Sequence, residues 1–284
     1  MGKPIDMSAG LSHPEAVARY SADTLRAAVG APRTGRPKRM RPLKALHHMR
    51  RLLADKESTD EVFHILRHLA GDSFERSFRR WLAHPGAEAR IAQARVLPDL
   101  LDDHNRWLAL PPGTFGREYA EFMRREGLSA RGLVEDSLKV PANRAWRAGL
   151  DPLRHWFADR SRDTHDLYHV LTGLGRDALG ETCVLQFTYP QHGKPFGLLF
   201  IGYLGAREAS KAMPRGAPWR AALAECRRIG REAELVDAQD LIALFPLPLS
   251  EARARLRIRP AQAYHRCHRM CREAGIDPYT LVAA

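Results

Sequence analysis

The sequence predicts a mainly α fold, a single helical domain running from residue 41 to residue 260. Apolar residues recur at three- and four-residue spacing from Leu43 onward. Helix start and stop signals follow one another in series, and only one stretch has the composition of strands. With 284 residues and 44% hydrophobic content, the chain is long and apolar enough for a sizeable core.

Taken in order, His13 to Val29 is a short helical candidate ended by Gly30 and Pro32. The basic, proline-bearing residues 31–42 read as a linker. Leu46, Met49, Leu52 and Leu53 then share one helical face. Ser58 or Thr59 can cap a helix carrying Val62, Ile65, Leu66 and Leu69, closed by Gly71. Ser73 starts the next, with Phe74, Phe78 and Trp81 on one face, up to Pro85-Gly86. Helices are expected over Glu88–Leu97 and, beyond Pro98, over Leu100–Leu108.

Pro111-Pro112-Gly113-Thr114 is a turn, after which Thr114 caps Phe115 to Arg125. Phe115, Tyr119, Phe122 and Met123 form a stripe on that helix and are expected in the core. A break at Gly149–Pro152 precedes the motif described below. Trp219–Leu235 and Asp237–Phe245 read as helical, and Pro246 and Pro248 lead into Glu251–Leu256. Cys183 to Tyr189 and Phe196 to Leu204, joined by Pro-Gln-His-Gly-Lys-Pro, have the β-propensity of a hairpin, so their state is left open. Residues 1–40 form a basic N-terminal arm, partly flexible, and 261–284 a C-terminal extension.

The net charge of +12 is uneven. Six Arg and two Lys lie between Ala31 and Arg51 without an acid. They suit a solvated arm or anionic lipid headgroups. Nucleic acid is not expected, because no zinc finger, RNA-binding signature or aromatic interleaving accompanies them. Four cysteines make no disulfide framework at this length, which points to a reducing compartment. Met1 to Leu11 lacks the apolar core of a signal peptide, and Asp6, Glu15 and Asp23 argue against a mitochondrial transit peptide. The longest apolar run, Phe196 to Gly205, falls short of the roughly twenty residues a membrane span requires. Any membrane contact is therefore expected to be peripheral.

The chemistry concentrates in Arg162-Asp163-Thr164-His165-Asp166-Leu167-Tyr168-His169, with Glu181 twelve residues further on. His165 and His169, four residues apart, stack on one face of a helix at about 6 Å, the spacing at which two imidazoles share a zinc ion. Asp166 can ligate or orient a bound water. On a continuous helix Glu181 would lie about 18 Å away, so the site needs a chain reversal. Gly173 and Gly175 supply one, and Arg176 to Glu181 then starts a second helix. The bland alternative is a surface helix whose His and Asp pair with Arg160, Arg162 and Asp163. His265, Cys267, His268 and Cys271 could form a second metal site, but an exposed basic helix with incidental residues is the expectation there.

His165, Asp166 and His169 followed by Glu181 resemble the hallmark of the ubiquinone (coenzyme Q) biosynthesis proteins, the family of coenzyme Q protein four. Similarity extends to Arg162, Val170-Leu171-Thr172-Gly173, Gly180-Glu181, Arg41-Pro42-Leu43, the Leu108 to Tyr119 stretch and Pro246 to Pro260. The resemblance covers roughly 40–260. Gln186-Phe187-Thr188-Tyr189 departs from the family's usual Lys-x-Phe-Glu, and both tails match nothing in it.

The resemblance implies an all-α fold with a helix-break-helix metal site, and it turns the ambiguous 183–204 stretch into helices. It implies a divalent ion, zinc or alternatively iron, on His165, Asp166, His169 and Glu181. The implied ligand is a polyprenylated quinone precursor, and the implied activity is oxidative decarboxylation at ring C1 of a prenylated hydroxybenzoate, a lyase-type step with Asp166 as catalytic residue. Arg160 or Arg162 would meet the substrate carboxylate. The competing expectation is a non-catalytic scaffold that holds prenylated intermediates and organises other ubiquinone-biosynthesis proteins. Implied partners are those proteins, a membrane surface and a second copy of the chain. The implied location is the cytoplasmic face of a bacterial inner membrane, or a mitochondrial inner membrane in a eukaryote. An HD-type phosphohydrolase leaves His169 and Glu181 unexplained, and Asp166 is one methylene too short for the general base of a zincin peptidase.

Overall fold

The computed structural model describes residues 20–33, 39–55 and 58–281. Within them every regular element is helical; a lone bridge joins Thr114 and Pro248, and no strand forms among the described residues. Of the candidate helix over His13–Val29, the described part is α1 (Ala22–Ala27), capped by the Ser21 hydroxyl, and residues 13–19 lie outside the described residues. Of the basic cluster, Arg36 and Lys38 lie outside them too.

α2 (Pro42–Ala54) and α3 (Thr59–His68) pair as a hairpin, followed by α4 (Ser73–Leu82) and α5 (Ala87–Gln93). α5 ends earlier than the expected Leu97, because Ala94 turns left-handed at φ 45°. The helix expected over Leu100–Leu108 is two short ones, α6 (Leu97–Leu101) and α7 (His104–Leu108). Pro98 sits in the first turn of α6, where its missing N–H has no partner to lose.

α8 (Phe115–Glu126) buries its stripe of Phe115, Tyr119, Phe122 and Met123. The Thr114 hydroxyl turns back to the Pro111 carbonyl at 2.7 Å and makes no capping bond. The apolar spacing does not announce α9 (Ala130–Lys139) or α10 (Pro141–Ala148), which carry few large apolar side chains. Then come α11 (Pro152–Asp163), α12 (His165–Thr172), α13 (Ala178–Gln191), α14 (Phe196–Ala209) and α15 (Trp219–Glu232). A 3-10 turn at Val236–Ala238, α16 (Leu241–Leu244), α17 (Leu249–Arg255) and α18 (Gln262–Glu273) complete the chain.

The 183–204 stretch forms the helical pair α13–α14, not a hairpin of strands. α13 is buried round most of its circumference: Cys183, Val184, Gln186 and Phe187 are all at 0% exposure, and the partly exposed stripe is Ala178, Glu181, Leu185 and Tyr189. β-propensity describes fit to a half-buried pleated surface, so it does not decide a segment enclosed on most sides. Thr182 and Thr188 satisfy their hydroxyls on the Leu179 and Val184 carbonyls of the same helix, each at 2.8 Å. α14 and α15 flank α13 closely. A Cβ at Gly202 would lie 2.2 Å from Gln186 Nε2, and one at Gly230 would lie 2.2 Å from the Phe187 carbonyl oxygen.

A second apolar cluster, with Phe78, Trp81, Trp156 and Phe157, joins α4 to α11. Its polar rivet is Arg154, which grips Glu75 through Nε at 3.0 Å and Nη2 at 2.9 Å while Asp151 takes Nη1 at 2.8 Å. The Arg154 guanidinium holds the Glu75 carboxyl below its ordinary 4.5, against the opposing effect of burial.

Two outcomes are expected. Helix-interior Gly→Ala normally stabilises, yet Gly230→Ala should cost about 1–3 kcal/mol in chemical denaturation because backbone blocks the Cβ. Gly149→Ala, whose Cβ would find its nearest neighbour at 3.6 Å, should stay within about 0.5 kcal/mol. A depressed carboxyl contributes stability that is present above its unfolded value and lost as pH falls through its folded value. Glu75→Gln should therefore be destabilised by about 3 kcal/mol at neutral pH, with the gap to wild type closing below pH 4.5. Melting curves across pH check this, and a gap that widens in acid contradicts it.

Candidate metal centre

Thr164 joins α11 to α12, serving both as the last cap of one and the first of the other. His165 and Asp166 occupy the first turn of α12, and His169 follows one turn later. Gly173, left-handed at φ 71°, stops the helix. The chain reverses through Leu174, Gly175 and Arg176 to Asp177, whose carboxylate caps α13 by accepting from the Leu179 and Gly180 N–H groups at 3.2 and 3.1 Å. Glu181 lies in the first turn of α13 and so returns to the histidines.

One ligand atom each from His165, Asp166 and His169 lie within 4.8 Å of one another. Glu181 Oε2 stands 3.4 Å from His169 Nε2 and 3.7 Å from His165 Nε2. The sequence thus names all four members of the cluster. Arg176, which it does not single out, anchors Glu181 from the far side, Nε to Oε1 at 3.1 Å.

The donor set fits a divalent cation. His169 is fully buried, and its Nδ1 donates to the Leu174 carbonyl at 3.1 Å. That bond fixes the tautomer and leaves the Nε2 lone pair toward the cluster, where Nε2 has no hydrogen-bond partner. Phe122 stacks on the same ring at 5.6 Å. Burial opposes a charged His169, but the Glu181 carboxylate outweighs it and holds the imidazole above its ordinary value. Reciprocally, and against burial, the two imidazoles hold Glu181 well below the usual carboxylate range. Two nitrogens and two carboxylates suit zinc or ferrous iron. Asp166 is 8% exposed, near the buried Tyr119, whose phenol is pushed well above its usual value by burial and by the Asp166 charge.

His165, Asp166, Arg176 and Glu181 line a cavity of about 610 Å³. Its other walls are mainly apolar, with Leu52, Val62 and Leu66 from the α2–α3 hairpin and Leu198 and Ile201 from α14. The two arginines considered for a substrate carboxylate differ in placement. Arg162 reaches the cavity wall but is committed to Asp163 at 2.7 Å and Asp159 at 3.3 Å. Arg160 is buried away from it, donating at 2.6 Å to the carbonyls of Asp237 and Gln239.

Asp237 is the hub of a buried network that sequence spacing does not reveal. Its carboxylate accepts from Tyr168 at 2.8 Å, Thr164 at 3.1 Å and Ser161 at 3.0 Å, and meets His192 Nε2 at 3.1 Å. Despite burial, His192 and Arg160 hold it well below the usual carboxylate range. On α18, Tyr264, Cys267, His268 and Cys271 face inward, so that helix is not the exposed one expected. Burial pushes the Cys267 thiol up to about 12.

Residues 88–225 match the family model described as coenzyme Q (ubiquinone) biosynthesis protein Coq4. A Trypanosoma cruzi mitochondrial ubiquinone biosynthesis protein COQ4 homolog is 32% identical over 109 residues, 38% of each chain. The Xenopus tropicalis mitochondrial homolog is 33% identical over 106 residues, 37% of this chain and 34% of that one. This chain therefore spans well under two thirds of the curated relatives it matches. The fold is similar to the crystal structure of a Nostoc punctiforme protein provisionally assigned to ubiquinone biosynthesis, with a TM-score of 0.54 and 23% identity over 77% of this chain and 98% of that one. The matched segment contains the whole His165–Glu181 cluster, and through it residues 88–225 of this chain belong to the coenzyme Q (ubiquinone) biosynthesis protein Coq4 family.

Proposed function

We propose that this chain acts in ubiquinone biosynthesis by exchanging the ring C1 carboxylate of a polyprenylated hydroxybenzoate for a hydroxyl. The observation that carries this reading is the meeting of a metal-ligand set with an apolar cavity: His165, Asp166 and Glu181 line the same void as Leu66, Leu198 and Ile201. An isoprenoid tail has no polar atoms and gains about 25 cal/mol for each Å² of apolar surface removed from water. The aromatic head, with its carboxylate, would then lie beside His165, Asp166 and Glu181.

A divalent cation there supplies Lewis acidity toward carboxylate and phenolate, and iron in place of redox-inert zinc adds electron transfer to dioxygen. His165, His169 and Glu181 would hold that ion, and Asp166 would be a fourth ligand or would orient a water. Arg176 gives only its Nε to Glu181, so its guanidinium is better placed than that of Arg160 or Arg162 to meet the substrate carboxylate. The exchange consumes one dioxygen and a two-electron reductant, and releases carbon dioxide and water beside the new phenol.

The surface near the cavity suits uptake from a membrane. No helix among the described residues is long and apolar enough to cross one. Met40, Leu43 and Leu46, at 46%, 82% and 37% exposure, accompany Arg41, Lys44 and Arg50 at the start of the α2–α3 hairpin. Phe196 and Tyr203 are exposed on α14. Apolar anchors beside cations favour peripheral binding to an anionic surface, as do the polyprenylated ligand and the other ubiquinone-biosynthesis proteins proposed as partners.

Wild type and Asp166→Ala are to be compared by elemental analysis for bound metal and by mass spectrometry of products from a prenylated hydroxybenzoate. Near-stoichiometric metal with turnover in wild type is expected, and turnover should fall about 10–100-fold or more in the variant. Metal-free wild type would sink the ligand assignment. Metal without turnover when dioxygen and reductant are supplied would return the chain to the scaffold role.

A further inference from the structure

A second cavity, of about 480 Å³, abuts the cluster through His169 and shares no lining residue with the apolar one. Its wall gathers Arg125, Arg253, Arg269 and Arg272 around one carboxylate, Glu118. Three helices supply these arginines: α8, α17 and α18.

The guanidinium groups are poorly compensated. Arg253 spends its donors on neutral carbonyls, Leu171 at 2.8 Å and Val170 at 2.9 Å. Burial pushes it below its ordinary value, with Glu118 the only charge opposing. Arg125 meets Glu126 at 3.2 Å, outside the cavity wall. The side chains of Arg269 and Arg272, both exposed residues, make no hydrogen bond or ion pair among the described residues. Several cations on a concave wall repel one another and focus a positive potential on the space between them.

A planar guanidinium matches the oxygen edge of a phosphate and binds it through paired N–H donors. The void has the size of a small-molecule site. Tyr279, 46% exposed, adds an aromatic ring to the rim. We propose that this cavity binds a small phosphate-bearing anion, gripped by Arg125, Arg253, Arg269 and Arg272 beside His169. The site goes beyond the decarboxylation reading, since it needs neither the metal nor a prenyl tail.

The test titrates phenyl phosphate into the 284-residue chain by calorimetry at low ionic strength. Saturable binding is expected in wild type, weakened about tenfold or more in Arg269→Ala/Arg272→Ala and reduced by added salt. Glu118→Gln should tighten it, because the variant removes the only negative charge on the wall. His165→Ala should leave it intact. Loss in His165→Ala would place the phosphate on the metal ligands and overturn the proposal. So would absence of binding to phenyl phosphate and to phosphatidic acid vesicles, or equal binding in wild type and the double arginine variant. Binding to the vesicles alone, abolished in the double variant, would support the site with a lipid headgroup as the source of the phosphate.

Discussion

A helix that carries His165 and His169 can meet a glutamate twelve residues later only if the chain folds back sharply, and the reversal at Gly173–Asp177 is the constraint on which the site rests. Its bonds are short-range and mutually dependent. The His169 carbonyl accepts from the Gly173 N–H at 2.9 Å and the Leu174 N–H at 3.2 Å, while the Leu174 carbonyl takes the His169 ring N–H. Asp177 then caps α13, and its other oxygen accepts from the Tyr264 hydroxyl at 2.5 Å. That hydroxyl in turn accepts from the Gly175 N–H at 3.0 Å. Gly180 completes the turn, because a Cβ there would lie 2.0 Å from the Gly175 carbonyl oxygen. The residues that reverse the chain therefore also orient the histidine.

The same reversal separates two unlike environments. On one side His165, Asp166 and Glu181 face an apolar void, and on the other His169 borders a cationic one. Side chains that line an apolar cavity make fewer dispersion contacts with the protein than close-packed ones. Many of those side chains come from α2, α3 and α14, which form a smaller core cluster apart from the central one around Phe187 and Phe245. The central core holds α12 against α8 and α13 and lends Tyr168 to the cavity wall.

Local signals in the chain reveal most of this. The approach of His165, Asp166, His169 and Glu181 was legible because four-residue spacing on a helix is a short-range fact, and the glycine pair marks a break whatever surrounds it. The stripe on α8 was legible for the same reason. What escaped depends on neighbours remote in sequence. The helical state of Cys183 to Tyr189 follows from α14 and α15 packing on both sides, where Gly202 and Gly230 permit close approach. α9 and α10 are announced by little because they bury few large apolar groups. The burial of Arg160 escaped because its acceptors, the carbonyls of Asp237 and Gln239, lie more than seventy residues away. No spacing rule reaches that far.

Arg160 and Asp237 nonetheless bear on the site through its frame. Arg160, on α11, is bonded to the backbone of the 237–239 segment, and the Asp237 carboxylate is bonded to Ser161, Thr164 and Tyr168 on either side of the α11–α12 junction. One buried carboxylate thus clamps the end of one helix to the start of the next. Thr164 is the residue clamped at the joint, and His165 follows it directly. Metal ligands must be held to within a fraction of an ångström and some tens of degrees, which calls for support from the groups behind them. A buried charge with four partners is a stiff support, because releasing any one leaves the others around an under-compensated ion in a low-dielectric interior. The network therefore fixes the angle at which α12 leaves α11, and with it the direction in which the first histidine faces the apolar cavity.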